Sequence, residues 1–410
     1  MKNKKTLCKV LSLVMASSLI FSAKVQALDV TAQTNDIHKQ WTIKFNEDVK
    51  FDNNVKNEIK ITNEKGNEVD SQVELKDSKV LTILAPKDGY KDGEIYTLTV
   101  SNNIKSSKNT PLKGPKSFSF KVDTKAQPYN NGKYLYKDIV NKTIDGAVKQ
   151  ICDNDVDGDW EMMALVKNNT KVPDECLQRI KDSIKKGEMK QPTDYERTVM
   201  ALTAVGENPL DFDGVNLVEK IYNNKDITTQ GINAAVFALI SLDTKNFDVP
   251  QNAVWTRDAL IEYILKNRTS DGGWDYGGIK VDPDMTGMAI NSLSLYKDRP
   301  EVKSTIDNAV KLLSKIQNED GTFSCYGVEN SESISQVIIG LCANGIDPTS
   351  KEFTKNGVNL IEALLTFKTE DGGFCHIYDT GSNGMSTEQA TLALETYREF
   401  KNGRNHIYKF

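Results

Sequence analysis

The sequence predicts two domains, a small antiparallel β-sandwich followed by an all-α closed double ring, an α6/α6 toroid. Three observations carry this. Short stretches between residues 28 and 123 alternate apolar and polar side chains. Further on, an Asp-Gly-x-aromatic turn recurs at intervals of 49 and 51 residues. Around those turns, amphipathic helices alternate with helices that are apolar on nearly every side, in six pairs.

The N-terminus comes first. Lys2, Lys4, Lys5 and Lys9 precede the apolar run Val10–Phe21, and Val25-Gln26-Ala27 supplies a small-residue exit. This order defines a signal peptide, residues 1–27. The run is shorter than the roughly 20 apolar residues a membrane anchor needs. The expected location is therefore secreted, extracellular or cell-surface, with no transmembrane segment.

Residues 28–123 supply the strands. Trp41–Phe45, Ile59–Thr62, Val80–Ile83, Tyr96–Val100 and Phe118–Val122 alternate, with turn clusters such as Lys65-Gly66-Asn67 between them. Short alternating strands at this spacing build a sandwich. Residues 124–135, with Pro128-Tyr129-Asn130-Asn131-Gly132, read as a linker, and residues 136–410 as the toroid.

The expected outer helices are Ile139–Asp153, Asp174–Lys186, Gly214–Asn223, Ala253–Asn267, Val302–Gln317 and Phe353–Lys368. The expected inner ones are Asp159–Leu165, Asp194–Val205, Gln230–Leu242, Thr286–Tyr296, Ser333–Ala343 and Ser386–Tyr397. The inner helices share a small residue before a Leu (Ala164, Ala201, Ala238, Ser292, Gly340, Ala393), which lets neighbours approach closely. Six such pairs are the number that closes a ring, and no capping repeat is evident; an open solenoid is the alternative.

Charge narrows the partners. Residues 1–27 carry five Lys and no acid, 28–123 balance at 15 each, and the remainder holds 32 basic against 42 acidic side chains. Nucleic acid needs a basic stripe, so it is excluded as a partner. Three His leave little for imidazole chemistry. Five scattered cysteines follow Cys8, too few and too irregular for a disulfide framework. The favoured pair, if one forms, is Cys325 with Cys375, which follow equivalent turns.

Two resemblances add to this. Trp41–Val49, Tyr96–Val100 and Phe118–Phe120 resemble strands of the S-layer-type (SbsA) Ig-like domain. That resemblance implies a spacer or adhesion module on a bacterial surface, without catalysis. Gln317-Asn318-Glu319-Asp320-Gly321-Thr322-Phe323 is similar to the repeat of squalene cyclases and protein prenyltransferase β subunits. It implies the toroid of the terpenoid cyclase and intrinsic-factor-like superfamily, whose members do unrelated things.

Each chemistry of that superfamily meets a test. The Asp-x-Cys of the prenyltransferase zinc site is missing from residues 136–404, and Cys375-His376 lacks further ligands. The thioester motif fails, because Ser386 stands where its Cys would precede Glu388-Gln389. Asp282-Pro283-Asp284-Met285-Thr286 resembles the Asp-x-Asp-Asp-Thr acid of class II terpene cyclases, with Asp284 at the proton donor's place and Met285 replacing the last Asp. Asp284 reads either as that acid or as a helix cap.

Polar residues at the inner-helix starts remain: Tyr195, Arg197, Asn233, Asp284, Thr286, Gln336, Thr387 and Gln389. Converging on one mouth, they describe a ligand site. Six helix N-termini favour a polar or anionic group there, with Arg197 as the nearby cation. Separately, Asp153-Asn154-Asp155-Val156-Asp157-Gly158 spaces carboxylates as a calcium loop does, but Ala164 stands at the twelfth place, where that loop needs Glu. It reads either as a weak calcium site on Asp153, Asp155 and Asp157 or as an acidic turn. No cofactor is required, and calcium is the one on offer.

The leading expectation is a secreted or surface binding protein, an Ig-like spacer presenting a toroid that holds a small molecule, glycan or protein, with cell-wall association. The alternatives are a class II cyclase-like enzyme using Asp284, and a purely adhesive or structural protein.

Overall fold

The computed structural model describes residues 32–34, 36–45, 47–50, 53–111, 116–122, 124 and 137–410. The expected signal peptide, and the linker apart from Thr124, lie outside the described residues. The chain divides into two compact units, Met1–Leu135 and Tyr136–Phe410.

The first unit is an Ig-like sandwich. Its elements are β1 (Ala32–Thr34), β2 (Trp41–Lys44), α1 (Asn53–Asn57), β3 (Ile59–Asn63), β4 (Val73–Asp77), β5 (Val80–Ile83), β6 (Ile95–Val100) and β7 (Lys116–Val122). One sheet runs β1-β7-β6-β3 and the other β2-β5-β4. The alternation decides the faces. Ile61, Leu98 and Phe118 stand in register across β3, β6 and β7 and turn inward together. Trp41 of the opposite sheet packs on Phe118 and Phe120, with ring centroids 4.7 and 4.6 Å away. The sequence reading omitted β1 and β4. Leu75 of β4 points to solvent, so that strand lacks an apolar face strong enough to register.

Among the described residues, the second unit holds twelve further α-helices. The outer ones are α2 (Lys137–Asp153), α4 (Asp174–Lys186), α6 (Leu217–Tyr222), α8 (Arg257–Lys266), α10 (Pro300–Ile316) and α12 (Leu360–Leu365). The inner ones are α3 (Asp159–Lys167), α5 (Pro192–Ala204), α7 (Gly231–Asp243), α9 (Pro283–Leu293), α11 (Ser331–Ala343) and α13 (Gly384–Lys401). Each inner helix packs on the next, and α13 returns to α3, which closes the ring. Helix α11 is buried along its whole length, as an inner helix enclosed by neighbours must be.

The recurring turn has a shared geometry. Gly272, Gly321 and Gly372 take φ of 94°, 85° and 96°, a region open to glycine and strained for other residues. The turn aims Trp274, Phe323 and Phe374 into the core, all fully buried. Trp274 also donates its indole N–H to the Ile264 carbonyl at 2.8 Å.

Some boundaries differ from expectation. Helix α9 starts at Pro283 rather than Thr286, because Asp282 accepts the Asp284 N–H and caps it. The expected helix Phe353–Lys368 shrinks to α12, since Asn356 and Gly357 turn the chain at φ 48° and 82°.

Aromatic side chains meet inside the ring. Trp160 of α3 meets Phe237 of α7, two places round the ring, at 5.2 Å, and Tyr408 packs on it at 5.9 Å. No helix among the described residues is long and apolar enough to cross a membrane.

Candidate functional site

Beside Trp160, the starts of α3, α5 and α13 and one face of α4 enclose a half-open groove of about 490 Å³. Asp157, Trp160, Arg179, Arg197, Glu388 and Gln389 are among its lining residues. Asp159 is its hub. Arg179 Nη2 lies 3.1 Å from one carboxylate oxygen, while Thr198 Oγ1 donates to the other at 2.8 Å and Arg197 Nε lies 3.3 Å from it. Arg197 also pairs with Asp194 at 2.7 Å. Both guanidiniums are therefore held by carboxylates of the same wall. Glu161 turns back to accept the N–H groups of Asp157 and Gly158 at 2.9 and 3.0 Å, which caps α3.

Glu388 faces this cluster from α13. A Cβ placed on Gly158 would lie 3.4 Å from Glu388 Oε2 and 3.5 Å from the Glu161 carboxyl carbon, so the two carboxyl groups share one small space. Burial, then the charges of Glu161, Asp157 and Asp159, push Glu388 up to about 8, against the pull of Arg197.

The sequence reading expected a polar or anionic ligand group here, with Arg197 as the nearby cation. Arg197 is already committed to Asp159 and Asp194, and carboxylates outnumber the cations around it. A neutral, hydrogen-bonding ligand suits this wall better.

The other expected site residues fare differently. Gln336 donates to Gln389 at 2.9 Å, which links α11 to the groove edge. Tyr195 donates to the Met189 carbonyl at 2.9 Å. Asn233 is half-buried on α7, outside the groove lining. Thr286 and Thr387 are fully buried and accept the N–H groups of Trp274 and Phe374, each at 3.0 Å. They secure the aromatic turns.

Asp284 lies in a second cluster, at the start of α9. Asp282 Oδ1 accepts the Asp284 N–H at 2.8 Å, and Cys325 Sγ lies 3.5 Å from Asp282 Oδ2. Beside it, Asp275 accepts the Tyr326 hydroxyl at 2.8 Å. Burial first, then the Asp282 charge, raise Asp284 to about 7, with the Ser333 hydroxyl working the other way. Burial and the two aspartates raise the Cys325 thiol to about 12.

The carboxylates of Asp153, Asp155 and Asp157 do not gather within 4.8 Å of one another. Asp153 instead pairs with Lys149, and Asp157 joins the groove wall. The favoured disulfide is also absent: all five described cysteines are free, Cys375 Sγ donates to the Phe367 carbonyl at 3.2 Å, and Cys325 faces Asp282.

The sequence reading missed Trp160, Arg179, Glu161 and Glu388 as site residues. Acidic residues in the first turns of otherwise apolar helices were the available signal.

The fold is thus an N-terminal Ig-like domain followed by an α/α toroid. Residues 22–122 match the family model described as a bacterial Ig-like domain. No curated protein matches the chain. Among solved structures, the N-terminal part of the bacterial S-layer protein SbsC is 18% identical over 21% of this chain and 21% of its own, with a TM-score of 0.18. This chain therefore spans about a fifth of that structure. A type II terpene cyclase from Scytonema, in complex with merosterolic acid A, is 12% identical over 64% of this chain and 97% of its own, with a TM-score of 0.40. A family 76 glycoside hydrolase from a bovine Bacteroides thetaiotaomicron strain is 8% identical over 95% and 98%, with a TM-score of 0.42. At such scores these likenesses say nothing of what the groove does.

Proposed function

We propose that this chain is a secreted or surface-held binding protein, in which the Ig-like domain is a spacer and the toroid groove holds a neutral, hydroxyl-rich ligand, a glycan. The observation that carries the reading is the groove itself. It is concave, and its Arg and Asp side chains are prearranged by one another. Trp160 offers an aromatic surface, while Glu388 and Gln389 offer hydrogen-bonding groups. Pairs of fixed polar groups around an aromatic wall suit hydroxyl-rich rings.

The test is a panel of neutral, acidic and basic oligosaccharides titrated calorimetrically into the full chain. Neutral glycans are expected to bind, and Trp160→Ala and Gln389→Ala to weaken binding at least tenfold. Binding unchanged in both variants, or no binding across the panel, overturns the groove reading. A parallel incubation with squalene and polyprenyl diphosphates separates the enzyme alternative. A cyclised product lost in Asp284→Asn would establish it. An acid raised to about 7 is a weak proton donor for an alkene, so no product is expected.

A further inference from the structure

Among the described residues, one group of three His, Cys, Asp or Glu side chains brings its ligand atoms within 4.8 Å of one another: Asp282, Asp284 and Cys325. It shares no residue with the groove lining. Its members come from two repeats. Asp282 and Asp284 open the inner helix α9, and Cys325 follows the Phe323 turn of the next repeat.

Proximity of acids alone would mean little, since two of the carboxyl oxygens could be serving as caps. Two further atoms separate this cluster from an ordinary helix start. Asp284 Oδ1 is buried and has no hydrogen-bond partner. The Ser333 hydroxyl, on a residue wholly removed from solvent, lies beside that carboxyl with no other partner. Asp282 keeps Oδ1 for the helix cap, leaving Oδ2 directed at the thiol.

We propose that Asp282, Asp284 and Cys325 form a metal site for zinc or a cation of similar softness, with the Ser333 hydroxyl beside it. The donor set selects the ion. A thiolate disfavours magnesium and calcium, whereas zinc accepts sulfur and carboxylate oxygen together. The spacing agrees. Zinc bonds of about 2.3 Å to sulfur and about 2.1 Å to oxygen give a tetrahedral S···O edge of about 3.6 Å. The Cys325 Sγ to Asp282 Oδ2 distance is 3.5 Å. A ligand oxygen of Asp284 lies within 4.8 Å of both. Three protein donors are also the number found where a zinc ion keeps one position for water or a bound group. This donor set differs from the Asp-x-Cys arrangement the sequence lacks, because the thiol arrives from the neighbouring repeat.

The test uses the full chain, reduced and stripped with chelator. Zinc is expected to bind at one per chain by equilibrium dialysis and elemental analysis, and to raise the Tm of the helical transition. Cobalt should give a thiolate-to-metal charge-transfer band in the near ultraviolet. Cys325→Ser should abolish the band, and Asp284→Asn should weaken zinc at least tenfold. Calcium should do none of this. A second readout needs no variant: bound zinc should protect Cys325 of the wild-type chain from alkylation, followed by mass spectrometry. Absence of stoichiometric zinc, or binding that leaves Cys325 unprotected, overturns the site. So does a charge-transfer band that survives in Cys325→Ser.

Discussion

Gly340→Ala is expected to destabilise the toroid by about 2 kcal/mol, although alanine is the better helix former. On an exposed helix the change would gain about 1 kcal/mol. Here a Cβ on Gly340 would lie 2.4 Å from the Gly287 carbonyl oxygen and 2.8 Å from Ile290 Cγ1. Reciprocally, a Cβ on Gly287 would lie 2.5 Å from the Gln336 carbonyl oxygen. Both obstacles include helix backbone, which cannot swing aside as a side chain can. Helices α9 and α11 would have to separate, opening the core on both sides. Overpacking of this kind costs typically 1–3 kcal/mol and exceeds that when backbone must move, so it outweighs the propensity gain. Gly340→Val should lose the fold. Gly146 of α2 is the control, since its nearest obstacle lies at 3.9 Å, and Gly146→Ala should be neutral or stabilise by up to about 1 kcal/mol. Urea unfolding followed by helical circular dichroism measures both. A Gly340→Ala protein as stable as wild type would show that the crossing is looser than described.

Toroid stability should fall as pH rises from about 5 to 8. Burial raises Glu196, Glu388 and Glu395 above the ordinary carboxyl range. Glu196 is fully enclosed, with neither carboxyl oxygen hydrogen-bonded. Between the unfolded value, near 4.5, and the folded one, the native state holds protons that the unfolded chain has released. Stability then declines with pH, by about 1.4 kcal/mol per pH unit for each fully shifted group. For Glu388 the window closes at about 8. Asp275, Asp347, Asp371 and Glu399 are shifted down. Their contribution is present above the ordinary carboxylate range and is lost as pH falls through it, so acid also destabilises. The maximum should lie near pH 5. Glu196→Gln removes one charge that must otherwise be buried, and should stabilise the protein at pH 8 with little effect at pH 4. Urea midpoints across this range check it, and a curve that rises from pH 5 to 8 would refute the account.

The sequence by itself determined the architecture. Alternation at Ile59–Thr62 and Tyr96–Val100 marks strands with one face in a core, and the uninterrupted apolar run Ala234–Ile240 marks a helix enclosed by others. The three Asp-Gly-x-aromatic turns gave the repeat, because only glycine adopts their φ freely. Such signals are local, set by residues a few positions apart.

The tertiary structure decided which side chains are spent and which remain for chemistry. Thr286 and Gln389 look alike as polar residues near helix starts. One is fully buried, tied to the Trp274 backbone, while the other lines a groove. Arg197 reads as a ligand for anions until Asp159, from the preceding repeat, is found beside it. Cys325 reads as half of a disulfide until the ring places it against Asp282, 43 residues earlier. For Arg197 and Cys325 the deciding neighbour belongs to another repeat. Ring closure brings such residues to one mouth, and no spacing along the chain encodes which of them will meet.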